Sequence, residues 1–131
     1  MMKTGKAYLI DTNIIIDFFA NDISLVDKLT TENIKLPAVV VGELFYGAMS
    51  STRKIQRVEQ IDRFIDNFEI VSIDEFTPKY YGEIKASLKN AGTPIPENDI
   101  WIAALSIQHN LVLATRDNHF QKTYQIEVEF W

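Results

Sequence analysis

The chain has no cysteine and only two histidines, His109 and His119. Without cysteine there is no disulfide, no thiolate metal site and no thiol nucleophile. Two histidines are too few for a zinc centre built on imidazoles. A metal held here takes oxygen ligands, which points to Mg2+, with Mn2+ as a substitute. No apolar run approaches the ~20 residues that span a bilayer. The basic start is followed by an apolar stretch that stops at Asp11, too short for a secretory signal. These absences predict a cytoplasmic protein with no membrane partner.

Glycine and proline are sparse, five and four residues, and no repeat, linker or low-complexity stretch interrupts the chain. Its 131 residues suit one domain, 1–131. A hydrophobic share of 47% and a charged share of 24% are ordinary for a globular protein and suffice for a real core. The net charge of −5 runs against a phosphate-rich partner. Clustered carboxylates that bind cations would reverse the sign locally, and a basic rim can coexist with an acidic total.

Short β-type runs alternate with longer helical ones. Strands are predicted at 6–10, 33–36, 70–73, 111–114 and 126–130. Helices are predicted at 14–19, 22–31, 39–49, 52–68, 77–90 and 97–109, with a short one at 117–122. Pro37 falls where the helix at 39–49 would begin. Gly92 and Pro94 close the helix at 77–90. In the helix at 97–109, Ile100, Ala103, Ala104 and Ile107 follow i, i+3, i+4, i+7. Such alternation predicts an α/β fold with a parallel sheet covered on both faces.

In open α/β sheets ligands bind beyond the carboxyl ends of the strands, where the strand order reverses. Asp11 follows the first predicted strand, and Asp117 lies just past the fourth. Asp99 is in the first turn of the helix that leads into the fourth, and Glu43 is on the helix after the second. Glu43 is the only acid between Glu32 and Glu59, among Val39, Val40, Val41, Leu44 and Phe45. A carboxylate there is costly unless it has a partner, and a metal would be one. The alternative places it on a narrow wet stripe of a buried helix. Asp11 and Asp117 also suit helix caps, and Asp99 suits the helix dipole.

The motifs around these acids resemble those of PIN-domain nucleases, in particular the VapC-type toxins of toxin–antitoxin pairs. Tyr-Leu-Ile-Asp-Thr-Asn-Ile-Ile-Ile-Asp at 8–17 is similar to the family's first acidic motif, and Val-Gly-Glu-Leu at 41–44 to its second. Pro-Glu-Asn-Asp-Ile-Trp-Ile-Ala-Ala at 96–104 is similar to the third and is the most specific. Ala-Thr-Arg-Asp-Asn-His-Phe at 114–120 is similar to the fourth. The resemblance implies a PIN-like fold with a five-stranded parallel sheet flanked by helices. It implies an acidic quartet of Asp11, Glu43, Asp99 and Asp117, with Asn13 and Thr115 as supporting polar residues. It further implies Mg2+-dependent endonucleolytic cleavage of RNA, a cognate antitoxin and a homodimer.

Phosphodiester hydrolysis needs an activated water and relief of charge on the phosphate, both within reach of carboxylate-held Mg2+. Asp11 and Asp99 are expected as direct ligands. Asp117 would hold a second ion or act through water, and Glu43 would be a ligand or orient the attacking water. His119 is the remaining candidate acid–base group for protonating the leaving oxygen, though a surface position beside Phe120 is the preferred reading; Asp17 and Asp22 could approach the site but are read as ordinary surface acids. Arg53, Lys54, Arg57, Lys85, Lys89 and Arg116 are the candidate phosphate contacts, although each taken singly better suits a solvated helix face. Three other readings compete: a receiver-type signalling domain, a catalytically silent binding scaffold, and a nuclease of the same fold in RNA processing.

Overall fold

The computed structural model describes residues 5–123 and 125–131, so the basic start of the chain is described only from Gly5 onward. The elements run β1 (Ala7–Ile10), α1 (Thr12–Phe19), α2 (Ser24–Thr31), β2 (Asn33–Pro37), α3 (Ala38–Met49), α4 (Lys54–Ile65) and β3 (Glu69–Val71). Then come α5 (Thr77–Asn90), α6 (Glu97–Gln108), β4 (Val112–Thr115), a 3-10 turn (Asn118–Lys122) and β5 (Val128–Phe130).

The strands form one sheet in the order β3-β2-β1-β4-β5, and every pairing is parallel. The predicted α/β class and the five-stranded sheet are both present. A receiver-type domain has the order 2-1-3-4-5, so the topology sets that reading aside. The direction of winding reverses between β1 and β4, and a ligand crevice belongs at that point.

The two central strands account for the core. Tyr8, Leu9 and Ile10 of β1 and all four residues of β4 are buried. Successive strand residues point to opposite faces, so burial without alternation requires cover on both. Helix α6 is buried along Ile102–Ser106, with Ala103 and Ala104 as small residues inside it. Helix α3 packs against both α1 and α6.

Helix ends follow from side chains as much as from periodicity. Helix α4 is shorter than the predicted 52–68 because the backbone turns on both sides of it. The Ser51 hydroxyl accepts the Arg53 amide at 3.0 Å before its start. After its end, the Asn67 side chain donates to the Arg63 and Phe64 carbonyls at 3.0 and 3.2 Å. Pro37 does not open a helical turn. It is extended (φ −65°, ψ 137°) and ends β2.

Helix α5 closes at Gly92, in the left-handed region at φ +70°. There the Gly92 amide reaches the Lys89 carbonyl at 3.1 Å and the Thr93 amide the Leu88 carbonyl at 3.0 Å, the Schellman arrangement. A Cβ at Gly92 would meet no atom within 4 Å. Gly92→Ala should therefore cost only the backbone penalty, about 1 kcal/mol. The check is a lower urea midpoint with an unchanged m-value.

Candidate active site

The site begins where β1 ends. The Asp11 amide donates to the Ala114 carbonyl at 3.0 Å, carrying the β1–β4 pairing one residue beyond β1. Its carboxylate is buried, 4% exposed. Oδ1 accepts the Thr12 amide at 2.8 Å, and Oδ2 accepts the Thr115 hydroxyl at 2.7 Å. Asp11 is thus the N-cap of α1 while its second oxygen faces β4. The Thr115 hydroxyl also accepts the Asp117 amide at 2.9 Å, so one oxygen joins two of the acids. Asn13 Oδ1 accepts the Arg116 amide at 3.2 Å. The two supporting residues named from sequence therefore bind the exit of β1 to the exit of β4.

Asp117 caps the 3-10 turn by accepting the His119 amide at 2.9 Å. That turn brings the His119 ring back over the site. Its Nδ1 lies 2.9 Å from Asp99 Oδ2 and 3.1 Å from Asp117 Oδ2. The ring keeps the surface exposure expected from sequence, 44%, and its contacts with Asp99 and Asp117 are what that reading lacked. The available signal was its spacing of two from Asp117, which a capped 3-10 turn converts into a contact.

Asp99, in the first turn of α6, is 13% exposed. Glu43 reaches the same place from the middle of α3, because α3 packs on α6. A cavity of about 430 Å3 is lined by Glu43, Glu97, Asp99, Asp117 and His119, with Pro96 and Asn98.

The electrostatics record the crowding. Burial pushes the Asp11 carboxyl above its ordinary range against its two hydrogen bonds, and the charges of Asp99 and Asp117 raise it further. Burial likewise raises Glu43, helped by Asp11 and Asp99. Asp99 is raised by burial and by Asp117, although His119 opposes the shift. Each carboxylate is thus harder to ionise because of the others. Thr12 Oγ1 lies near enough to Glu43 to temper its shift, but without the geometry of a hydrogen bond. It is one of two buried side-chain oxygens without a partner among the described residues.

Those features fit a hard divalent cation. The acids offer oxygen donors and repel one another, and the His119 ring adds a nitrogen beside them. Ligand atoms of Asp99, Asp117 and His119 already lie within 4.8 Å of one another.

The other acids and the bases sort differently. Asp17 and Asp22 do not line the cavity. They accept from Arg116 Nη1 at 2.8 and 2.6 Å, and Arg116 Nε donates to the Trp131 main-chain oxygen at 2.6 Å. Arg116, a candidate phosphate contact, is therefore paired through Nη1 and Nε within the chain, with its side chain 25% exposed. Lys85 pairs with Glu97 at 3.1 Å.

The PIN domain family model matches residues 8–126. Ribonuclease VapC2 from Rickettsia felis is 31% identical, over 95% of this chain and 97% of that protein. The tRNA(fMet)-specific endonuclease VapC from Salmonella typhimurium is 27% identical over the same shares. The solved structure of DNA-bound VapBC from Salmonella typhimurium superposes with a TM-score of 0.88 at 27% identity, covering 96% of this chain and 98% of that one. With its four acids at the reversal point of a 3-2-1-4-5 sheet and these matches along nearly its whole length, the chain belongs to the PIN-domain family, among the VapC ribonucleases.

Proposed function

We propose that the chain is a Mg2+-dependent endoribonuclease, the toxin of a toxin–antitoxin pair, working as a single domain in the cytoplasm. The observation that carries this reading is the convergence of Asp11, Glu43 and Asp99, each shifted upward by burial and by its neighbours' charge. A fold tolerates such repulsion where binding a cation relieves it.

Asp11, Asp99, Asp117 and Glu43 would hold the metal, with Mn2+ able to replace Mg2+. When bound, the ion supplies charge neutralisation at the phosphate and an activated water near neutral pH. The chain's own residues do the rest. Thr115 fixes Asp11 and the Asp117 backbone relative to each other. Asn13 holds the backbone between them. Nδ1 of His119 is directed at Asp99 and Asp117, so Nε2 is the nitrogen able to hold or release a proton at a leaving oxygen.

The partners in this reading are an RNA substrate, an antitoxin and a second copy of the chain. Apolar side chains exposed around the α3–α4 turn support association: Tyr46 at 76%, Met49 at 54% and Ile55 at 80%. Phe64 and Phe68 are not available for that role: they pack with each other at 5.0 Å, and Phe64 packs with Phe18 and Phe19. Light scattering at micromolar concentration should give the mass of a dimer, and a monomer there would remove the second copy.

Cleavage of mixed cellular RNA should require Mg2+ or Mn2+ and should stop in chelator. Asp11→Asn and Asp99→Asn should each lower the rate at least ~100-fold, the scale of losing one preorganised charged group. Full activity in chelator would defeat the mechanism.

Stability offers a separate check. Asp99→Asn keeps the side-chain shape, lets Asn Oδ1 still accept from His119, and removes one charge. In chelator at pH 7 it should stabilise the fold by about 1 kcal/mol. Carboxyls raised in the folded state bind protons more tightly there than in the unfolded chain, so the wild type recovers stability as pH falls from 7 towards 5. Asp22, Asp74 and Glu97 are shifted downward, and their contribution is lost only below about pH 4.5, outside that window. The advantage of Asp99→Asn should therefore shrink on acidification, and also on adding Mg2+, which stabilises the wild type more. Denaturant melts at both pH values, with chelator and with saturating Mg2+, read all four states.

A further inference from the structure

A protein of net charge −5 must bring a polyanion up to a cluster of carboxylates. Five of the twelve described lysines and arginines are ion-paired: Lys6 with Glu127, Lys35 with Glu69, Arg63 with Glu59, Lys85 with Glu97, and Arg116 with Asp17 and Asp22. Lys28 lies over the Trp131 ring, 4.8 Å from its centroid. Six others have no ion pair among the described residues, and three of the six are neighbours; Lys79, Lys89 and Lys122 are scattered along the chain. Arg53, Lys54 and Arg57, at the start of α4, are exposed and have no ion pair among the described residues.

Two of them open onto a continuous path. A polar cavity of about 450 Å3 is lined by Arg53, Gln56, Arg57 and Gln60, with Phe19. It shares Phe19, Arg57 and Gln60 with a more apolar groove of about 540 Å3, whose walls include Ile16, Leu44 and Ile61. That groove also includes Glu43, which lines the acidic cavity as well. The sequence of surfaces is thus carboxylates, apolar wall, cations. The Phe19 ring is held by edge packing on Phe64 at 5.2 Å, and Ile16 is 54% exposed.

We propose that this path binds the RNA strand flanking the cleaved bond, with phosphates at Arg53, Lys54 and Arg57 and a base against Phe19 and the apolar wall. The inference rests on the ribonuclease reading above. Unpaired cations attract a strand without first giving up an internal partner, and an aromatic wall between charged ends matches alternating phosphates and bases. An acidic peptide without aromatic side chains would match the cations but bring nothing to stack on the wall.

The test uses the full chain carrying Asp99→Asn, so that RNA is not cut, with Mg2+ and a fluorescein-labelled single-stranded RNA oligonucleotide of mixed sequence. Adding Arg53→Gln, Lys54→Gln and Arg57→Gln together should weaken binding at least tenfold. It should also reduce the slope of log affinity against log salt by about 2, near 0.7 for each lost phosphate contact. Arg53→Lys with Arg57→Lys should keep the slope. Lys79→Gln, an exposed lysine outside these cavities, should change neither quantity. Unchanged affinity and slope in the triple variant would overturn the path. So would a polyglutamate peptide whose binding needs the three cations while RNA binding does not. If the wild-type chain leaves RNA uncut in Mg2+, the ribonuclease reading falls. If it cuts and the triple variant binds as its parent does, only this inference falls.

Discussion

The pairing of β1 with β4 is the constraint on which the site depends. Asp11 and Thr115 are 104 positions apart in the chain, yet their side chains meet at 2.7 Å because the sheet places the two strand exits together. The Thr115 hydroxyl gives its proton to Asp11 and accepts from the Asp117 amide. Its orientation is therefore fixed, and with it the relation between a carboxylate on β1 and the turn after β4. Parallel strands cannot be joined by a tight turn. The helices between β1 and β4 are thus not only cover for the sheet. Two of them, α3 and α6, deliver Glu43 and Asp99 to the same crevice.

The site works against the stability of its own fold. The core residues around it, such as Ile10, Ile14 and Ala114, are fully buried, and an environment of that kind disfavours ionised carboxylates. Hydrogen bonds from Thr115, Thr12 and His119 offset part of the penalty. What they leave is a local deficit of positive charge, which a divalent cation fills more compactly than a lysine ammonium could. Arg116 is adjacent to Asp117 in sequence but turns away to Asp17, Asp22 and the Trp131 oxygen. The arginine next to Asp117 in sequence therefore braces the fold, and among the described residues only the His119 ring lies against the carboxylates as a possible cation.

Strand order was not legible in periodicity, but strand existence was. The apolar runs at 6–10 and 111–114 stand out because both faces of the central strands are covered. The three-residue edges β3 and β5 were placed with boundaries off by one or two residues, since short half-exposed strands carry little pattern. Glu43 was legible as an acid isolated among apolar neighbours. Asp11, Asp99 and Asp117 each had an adequate local explanation as a cap or dipole partner, and only the fold brings them together. The contacts of His119 and Arg116 were not legible for one shared reason. Their partners, Asp99 at a separation of 20 and Asp17 at 99, are set by tertiary contacts that no local window contains.

The edges of the sheet have a consequence for assembly. A long, flat, apolar edge strand invites another chain to add a strand to it. Here each edge offers only three residues. Glu69 begins β3, and Glu129 occupies the middle of β5 with Glu127 just before it. Intermolecular strand addition would gain few hydrogen bonds and would bring like charges together. Growth into open, fibre-like arrays is disfavoured on both sides, which leaves the helical surfaces as the places where another polypeptide can be accepted in a closed and finite way.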